Sequence, residues 1–109
     1  MWKPITIKNL ANEILSGELD MTDDQRNFWE LIRIKPVKWS EEEYGTEGGG
    51  FWVVAIFGNE VIWYNDIEEG FNISKYEKYG VISEYHCSQA ELNWSVIGLM
   101  ERITANRYD

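Results

Sequence analysis

Apolar residues recur at helical spacing near the start of the chain. They occur at Ile7, Leu10, Ala11, Ile14 and Leu15, and Gly17 follows as a C-terminal stop signal. Since residues three and four apart share one helix face, this stripe predicts a packing helix over about residues 5–16. A second helix should begin at the capping box Thr22–Gln25 and end before Pro36, because the residue preceding a proline avoids helical angles.

A similar stripe near the end of the chain predicts a long helix over 88–104. Its apolar members are Leu92, Val96, Leu99, Met100 and Ile103. The capping box Ser88–Glu91 precedes them and can satisfy the free amides of a first helical turn. The last residues, 105–109, are predicted to fray.

Two apolar runs in the middle of the chain flank Gly58-Asn59, a dipeptide typical of two-residue hairpin turns. The runs, 51–57 and 60–66, predict an antiparallel hairpin in which Val54 faces Trp63. Both faces of this hairpin are largely apolar. It should therefore lie at the centre of a sheet, with helices over one face and the N-terminal segments or a partner over the other.

Four further segments complete the predicted architecture. Residues 34–39 predict a short edge strand, because Pro36 cannot donate to a central ladder. The acidic, glycine-rich residues 40–50 predict a mobile loop. The connection 66–80 carries a capping box at Ser74–Glu77, which predicts one helical turn, and residues 81–87 predict a third strand.

These elements together predict an α+β fold in a single domain spanning residues 1–109. Its sheet is small and mostly antiparallel, built from the central hairpin 51–66 plus strand 81–87. Two N-terminal helices and a long C-terminal helix accompany the sheet.

Charge restricts the partners that such a protein can have. The 109 residues include 10 Lys+Arg and 19 Asp+Glu, which gives a net charge of −9. Nucleic acids and anionic membranes attract basic faces, so we expect neither as a partner, whereas a basic protein fits. The content of hydrophobic residues, 44% with six Trp, excludes a disordered acidic tail.

Cysteine usage and the N-terminal residues predict a cytoplasmic protein. Cys87 is the only cysteine, so no intrachain disulfide can form. The chain begins without the apolar core of a signal peptide. Its longest apolar run, 51–57, is too short to span a bilayer.

Candidate binding residues concentrate where the second hairpin strand ends. They are Tyr64, Asp66, Glu68, Glu69, Phe71 and Asn72. Carboxylates beside aromatic residues suit a surface that steers a basic partner and anchors it through Tyr64 or Phe71. In the plainer interpretation, Asn65, Asp66 and Asn72 only tie down amides of the following loop.

Metal binding and catalysis fit the pattern less well. Calcium loops need regularly spaced oxygen ligands, but Ile67 and Tyr76 stand at two such positions counted from Asn65. His86 and Cys87 would point to opposite faces of a strand, so they cannot form a nucleophile–base pair there. We therefore expect no catalytic residue, no metal and no cofactor.

Four segments of the chain resemble small bacterial proteins of the kind usually called hypothetical. The segments are Phe51–Val54, Trp63–Asn72, Tyr79–Ile82 and Tyr85–Leu92. The resemblance covers about the C-terminal half of the chain, and it implies a bacterial origin without implying an activity. Small acidic immunity proteins that block nuclease toxins are similar in size and charge.

The functional hypothesis is a small, acidic, non-enzymatic protein-interaction domain in the cytoplasm. A toxin-neutralising protein is one form of it. The alternative hypothesis is a small-molecule or metal-binding domain, or a weak hydrolase, that uses residues 65–72.

Overall fold

The computed structural model describes residues 2–108, with side chains up to residue 105. In chain order its elements are α1 (Ile7–Leu19), α2 (Asp23–Ile32), β1 (Arg33–Trp39), β2 (Phe51–Phe57), β3 (Glu60–Asn65), β4 (Gly70–Lys75) and α3 (Leu92–Tyr108). The strands form one antiparallel sheet in the order β1-β2-β3-β4. The α+β class is confirmed, as are the two N-terminal helices and the long C-terminal helix.

Side-chain caps begin the first two helices. The Thr6 hydroxyl accepts the amide of Asn9 at 3.1 Å, and the predicted capping box between Thr22 and Gln25 is formed in both directions. Gly17 does not stop α1, which continues to Leu19. It is instead a contact point with α3, because a Cβ there would lie 2.6 Å from Cβ of Leu92.

The central hairpin turns at Gly58-Asn59 as predicted, but its register changes halfway. Ala55 pairs with Ile62, whereas Val53 pairs with Trp63, so Val54 is an extra residue in a β-bulge. The predicted pairing of Val54 with Trp63 is therefore wrong. The bulge allows Val54 and Ala55 to be buried together on the helix side of the sheet.

Both faces of the sheet are covered, as the apolar hairpin required. The helix side holds a core that includes Leu10, Trp29, Val54, Ala55, Ile62, Leu92, Val96 and Leu99. The other side is an aromatic-rich core of Trp39, Phe51, Val53, Val61, Trp63 and Ile82. Irregular segments cover this second core through Trp2, Tyr76 and Tyr85, and Trp2 stacks on Phe51 at 5.6 Å.

The third strand is not residues 81–87, and this prediction is wrong. β4 occupies the edge beside β3 instead, because a short turn at residues 66–69 returns the chain directly. Residues 81–87 form only one isolated bridge, between Val81 and Ser40. The segment is held mainly by side chains: Ser74 donates to the carbonyl of Glu84 at 2.6 Å, and Asn65 donates to that of His86 at 2.9 Å.

Two predicted capping boxes do not form, because Ser74 and Ser88 make hydrogen bonds to other parts of the chain. Ser74 lies within β4, and its hydroxyl accepts the indole N–H of Trp63 at 2.9 Å, so no helical turn begins there. The amide of Ser88 donates to the Asn72 side chain at 2.8 Å, Ser88 is in no helix, and α3 begins only at Leu92.

The remaining predicted segments have the following places. β1 is an edge strand, as Pro36 indicated.

The segment 40–50, predicted to be mobile, contains a 3-10 helix and the buried Glu41, whose carboxylate accepts the amide of Gly45 at 2.9 Å. Residues 105–108 of the tail predicted to fray are helical, and Asp109 lies outside the described residues. Within residues 2–108, no helix is long and apolar enough to cross a membrane.

Replacing Leu99 by alanine tests the packing of α3 on the sheet. Leu99 is 1% exposed within the helix-side core, so Leu99→Ala should lower the free energy of unfolding by about 2–5 kcal/mol in urea titrations. Leu31→Ala is the matched control, because Leu31 is 84% exposed and its truncation should cost less than about 0.5 kcal/mol. Equal losses in the two variants would contradict the packing.

Candidate functional site

The six predicted binding residues separate into different environments. Tyr64, Asp66 and Glu69 line cavities between α1 and the β3–β4 turn. Glu68 lines neither cavity. Burial raises the pKa of Tyr85, and the negative charge of Glu68 acts in the same direction. Of the three acidic residues of the turn, Asp66 and Glu69 therefore line the cavities and Glu68 does not.

Phe71 and Asn72 are structural residues outside this site. The ring of Phe71 is 2% exposed and packs edge-on against Tyr64, with ring centroids 4.9 Å apart. Tyr64 is itself 4% exposed, so neither ring is available as the predicted apolar anchor. Asn72 is fastened to Ser88 by hydrogen bonds in both directions, as the plainer interpretation predicted.

The turn between β3 and β4 is built around the buried side chain of Asn65. Its Oδ1 accepts the amides of Ile67 and Glu68 at 3.0 and 3.2 Å. Glu69 then adopts φ 59°, a left-handed conformation that costs a residue with a Cβ about 1–2 kcal/mol. The next residue, Gly70, lies so close to the backbone of Gln89 that a Cβ could not fit. These constraints set the position of Glu69 at the rim of the site.

Asp66 attaches the N-terminal segment to this turn. Its Oδ2 accepts the amide of Ile5 at 2.9 Å, and its Oδ1 is buried without a hydrogen-bond partner in the described chain. Burial raises the pKa of Asp66, while the Ile5 hydrogen bond and the charge of Lys38 act in the opposite direction. The attachment brings residues 3–6 alongside α1 as one wall of a groove.

Two neighbouring cavities of about 430 and 420 Å³ form this groove. They share Ile5, Asn9, Tyr64 and Glu69. We call the combined space the acidic groove; its polar side chains are Lys3, Thr6, Asn9, Asn12, Glu13, Tyr64, Asp66 and Glu69. Its three carboxylates form no salt bridge with any residue whose side chain is described.

Burial and the negative charges of the acidic groove raise the pKa of the Tyr64 hydroxyl. Burial, followed by the charges of Glu13, Glu69 and Asp66, raises the pKa of Tyr64 to about 12. The phenol therefore stays neutral at ordinary pH. Its side chain is almost fully buried, yet its hydroxyl makes no hydrogen bond to the described side chains or backbone. This arrangement can accept a cation and a hydrogen-bond donor.

The sequence analysis missed Lys3 and Thr6, and it missed three groove residues of α1: Asn9, Asn12 and Glu13. The last three lie on the exposed polar side of α1, which was interpreted only as a packing helix. Asn9 and Glu13 are four residues apart and share a helix face, which was the one available signal. Nothing in the local sequence indicates that this face meets the turn after Asn65.

Other chemistry-bearing residues do not assemble beside the groove. Among residues 2–105, no group of three or more His, Cys, Asp or Glu side chains is placed to hold a metal ion. His86 and Cys87 lie in the irregular segment before α3, where both line a separate cavity of about 390 Å³. The ring of His86 is 3.9 Å from the carboxylate of Glu84.

Comparison of the chain with family models, curated proteins and solved structures finds no match. The chemistry of the groove is therefore the basis for a functional assignment.

The pH dependence of stability tests the environment of Asp66. Because burial raises the pKa of Asp66 above its ordinary value of 3.8, the folded chain holds this proton more tightly than the unfolded chain does. The contribution of Asp66 to stability is therefore largest at low pH and falls as pH rises through the folded pKa. The unfolding free energy of the wild type minus that of Asp66→Asn should increase as the pH falls from neutral to about 4. A decrease over this range in urea titrations would contradict the assignment.

Proposed function

We propose that the chain is a non-enzymatic binding protein whose acidic groove receives a basic segment of a protein partner. The observation that carries this proposal is the Tyr64 side chain, which is 4% exposed and whose hydroxyl has no hydrogen-bond partner among the described residues. Glu13, Asp66 and Glu69 line the same groove and form no salt bridge with any described side chain. Like charges near one point repel each other, and a bound cation relieves that repulsion.

The charge of the whole chain supports a basic partner. At −9, the net charge attracts a cationic surface over a distance and raises the rate of encounter. The groove then supplies the specific contact. A toxin-neutralising protein is the form of this proposal in which the partner is a basic toxin, and the cytoplasm is the proposed compartment because Cys87 is a free, exposed thiol.

The backbone at Glu69 also supports a binding role for this turn. Glycine adopts a φ of 59° without steric cost, but the chain has glutamate there. Strained residues of this kind are found preferentially at functional sites. We attribute the strain to the need for a carboxylate at the rim of the groove.

Neutralising two groove carboxylates tests the proposal. The probe is a flexible basic peptide, and its affinity is measured by isothermal titration calorimetry at low and at physiological salt. Glu13→Gln combined with Glu69→Gln should weaken binding by at least about tenfold, or about 1.4 kcal/mol, and should flatten the salt dependence.

The matched control is Glu42→Gln combined with Glu43→Gln. Both residues are exposed and outside the groove, and this variant has the same net charge as the groove variant. We expect it to change affinity by less than about twofold. Equal weakening by the two variants would show that only the overall charge matters, and an unaffected groove variant would contradict the assignment of the site.

A further inference from the structure

We infer that the acidic groove selects a primary ammonium, from a lysine side chain or an amino terminus, over a guanidinium. This inference rests on the proposed function, since it names the cation that the groove receives. It follows from which acceptor atoms of the groove remain free and how they are distributed.

Asp66, the groove carboxylate that is fixed by the Ile5 amide, cannot form a bidentate pair with arginine. Arginine is recognised best when both oxygens of one carboxylate accept parallel hydrogen bonds from its planar guanidinium. Asp66 uses Oδ2 for the amide of Ile5, and its Oδ1 is buried from solvent. Asp66 therefore contributes negative charge to the site without offering a bidentate partner.

Among residues 2–105, the groove also has no aromatic face on which a guanidinium could stack. Tyr64 is the only aromatic residue with a described side chain that lines it, and its ring is buried against Phe71. The two cation–π contacts in the described chain lie elsewhere, between Arg33 and Trp29 and between Lys38 and Trp52. Stacking, the second advantage of arginine, is therefore unavailable here.

The free acceptors suit the three separate donors of an ammonium group. The Tyr64 hydroxyl comes from β3, the Glu13 carboxylate from α1 and the Glu69 carboxylate from the turn. An ammonium on a flexible stem can direct one N–H to each of several independent acceptors, whereas a guanidinium presents its donors in one plane and would form its bidentate pair with Glu13 or Glu69 alone. The Tyr64 hydroxyl, which has no hydrogen-bond partner among the described residues, marks the point where the ammonium would be held.

Matched peptides test this selectivity in the intact chain. The probes are two acetylated and amidated peptides of the same length and charge, one with only lysine and the other with only arginine as cations. We expect the lysine peptide to bind at least about tenfold more tightly, with shifts of the Tyr64 and Glu69 NMR signals. A third peptide has neutral side chains and a free amino terminus. If it binds as tightly as the lysine peptide, the groove recognises the ammonium group of a chain end.

A single hydroxyl deletion tests the role of Tyr64. Tyr64→Phe should reduce the preference for lysine to less than about threefold, and it should leave the fold intact because no hydrogen bond between described residues is lost. Tyr79→Phe is the control, since Tyr79 is 66% exposed and lies outside the groove, and it should keep the preference.

The outcomes separate this inference from the proposed function. If both peptides bind equally and Glu13→Gln with Glu69→Gln weakens both, the groove binds basic partners and the ammonium selectivity is wrong. If neither peptide binds at the groove, both the proposed function and the inference are overturned.

Discussion

Two adjacent side chains at the end of β3 hold distant parts of the chain on opposite faces of the sheet. Asn65 donates to the Tyr85 hydroxyl and to the carbonyl of His86, which fixes the segment that covers the aromatic core. Asp66 accepts the amide of Ile5, which fixes the N-terminal wall of the acidic groove. Successive residues point to opposite sides of a strand, so one short stretch can organise both faces.

Those features of the fold that depend on neighbouring residues could be predicted from the sequence. The Gly58-Asn59 turn and the Thr22–Gln25 capping box are examples, because their geometry depends on a few consecutive residues. The β-bulge at Val54 was missed because its cause is the shape of the helix-side core. Residues 70–75 and 81–87 both suit an extended chain. The second segment is held without a ladder by hydrogen bonds to Asn65, Ser74, Lys75 and Ser40, which lie elsewhere in the sequence.

In the site, too, the residues close together in the sequence could be predicted, and those brought together by packing could not. Asp66 and Glu69 were predicted as binding residues because carboxylates are dense at that strand end. Glu13 could not be found in this way, since it reaches the groove only through the packing of α1 and the attachment of Ile5. The exposure of Tyr64 and Phe71 was misjudged because both rings complete the helix-side core. The hydroxyl of Tyr64 reaches the groove although its ring does not.

The central claim is that burial and three carboxylates from α1 and the β3–β4 turn act on the single hydroxyl of Tyr64. The most direct measurement is the ionisation of Tyr64, followed by the ¹³Cζ NMR signal while circular dichroism shows that the chain stays folded. An ordinary tyrosine is about 90% ionised at a pH one unit above its pKa of about 10. The account predicts that Tyr64, with a pKa of about 12, is still mostly protonated under that condition. An ionisation midpoint near 10 in the folded chain would contradict the account.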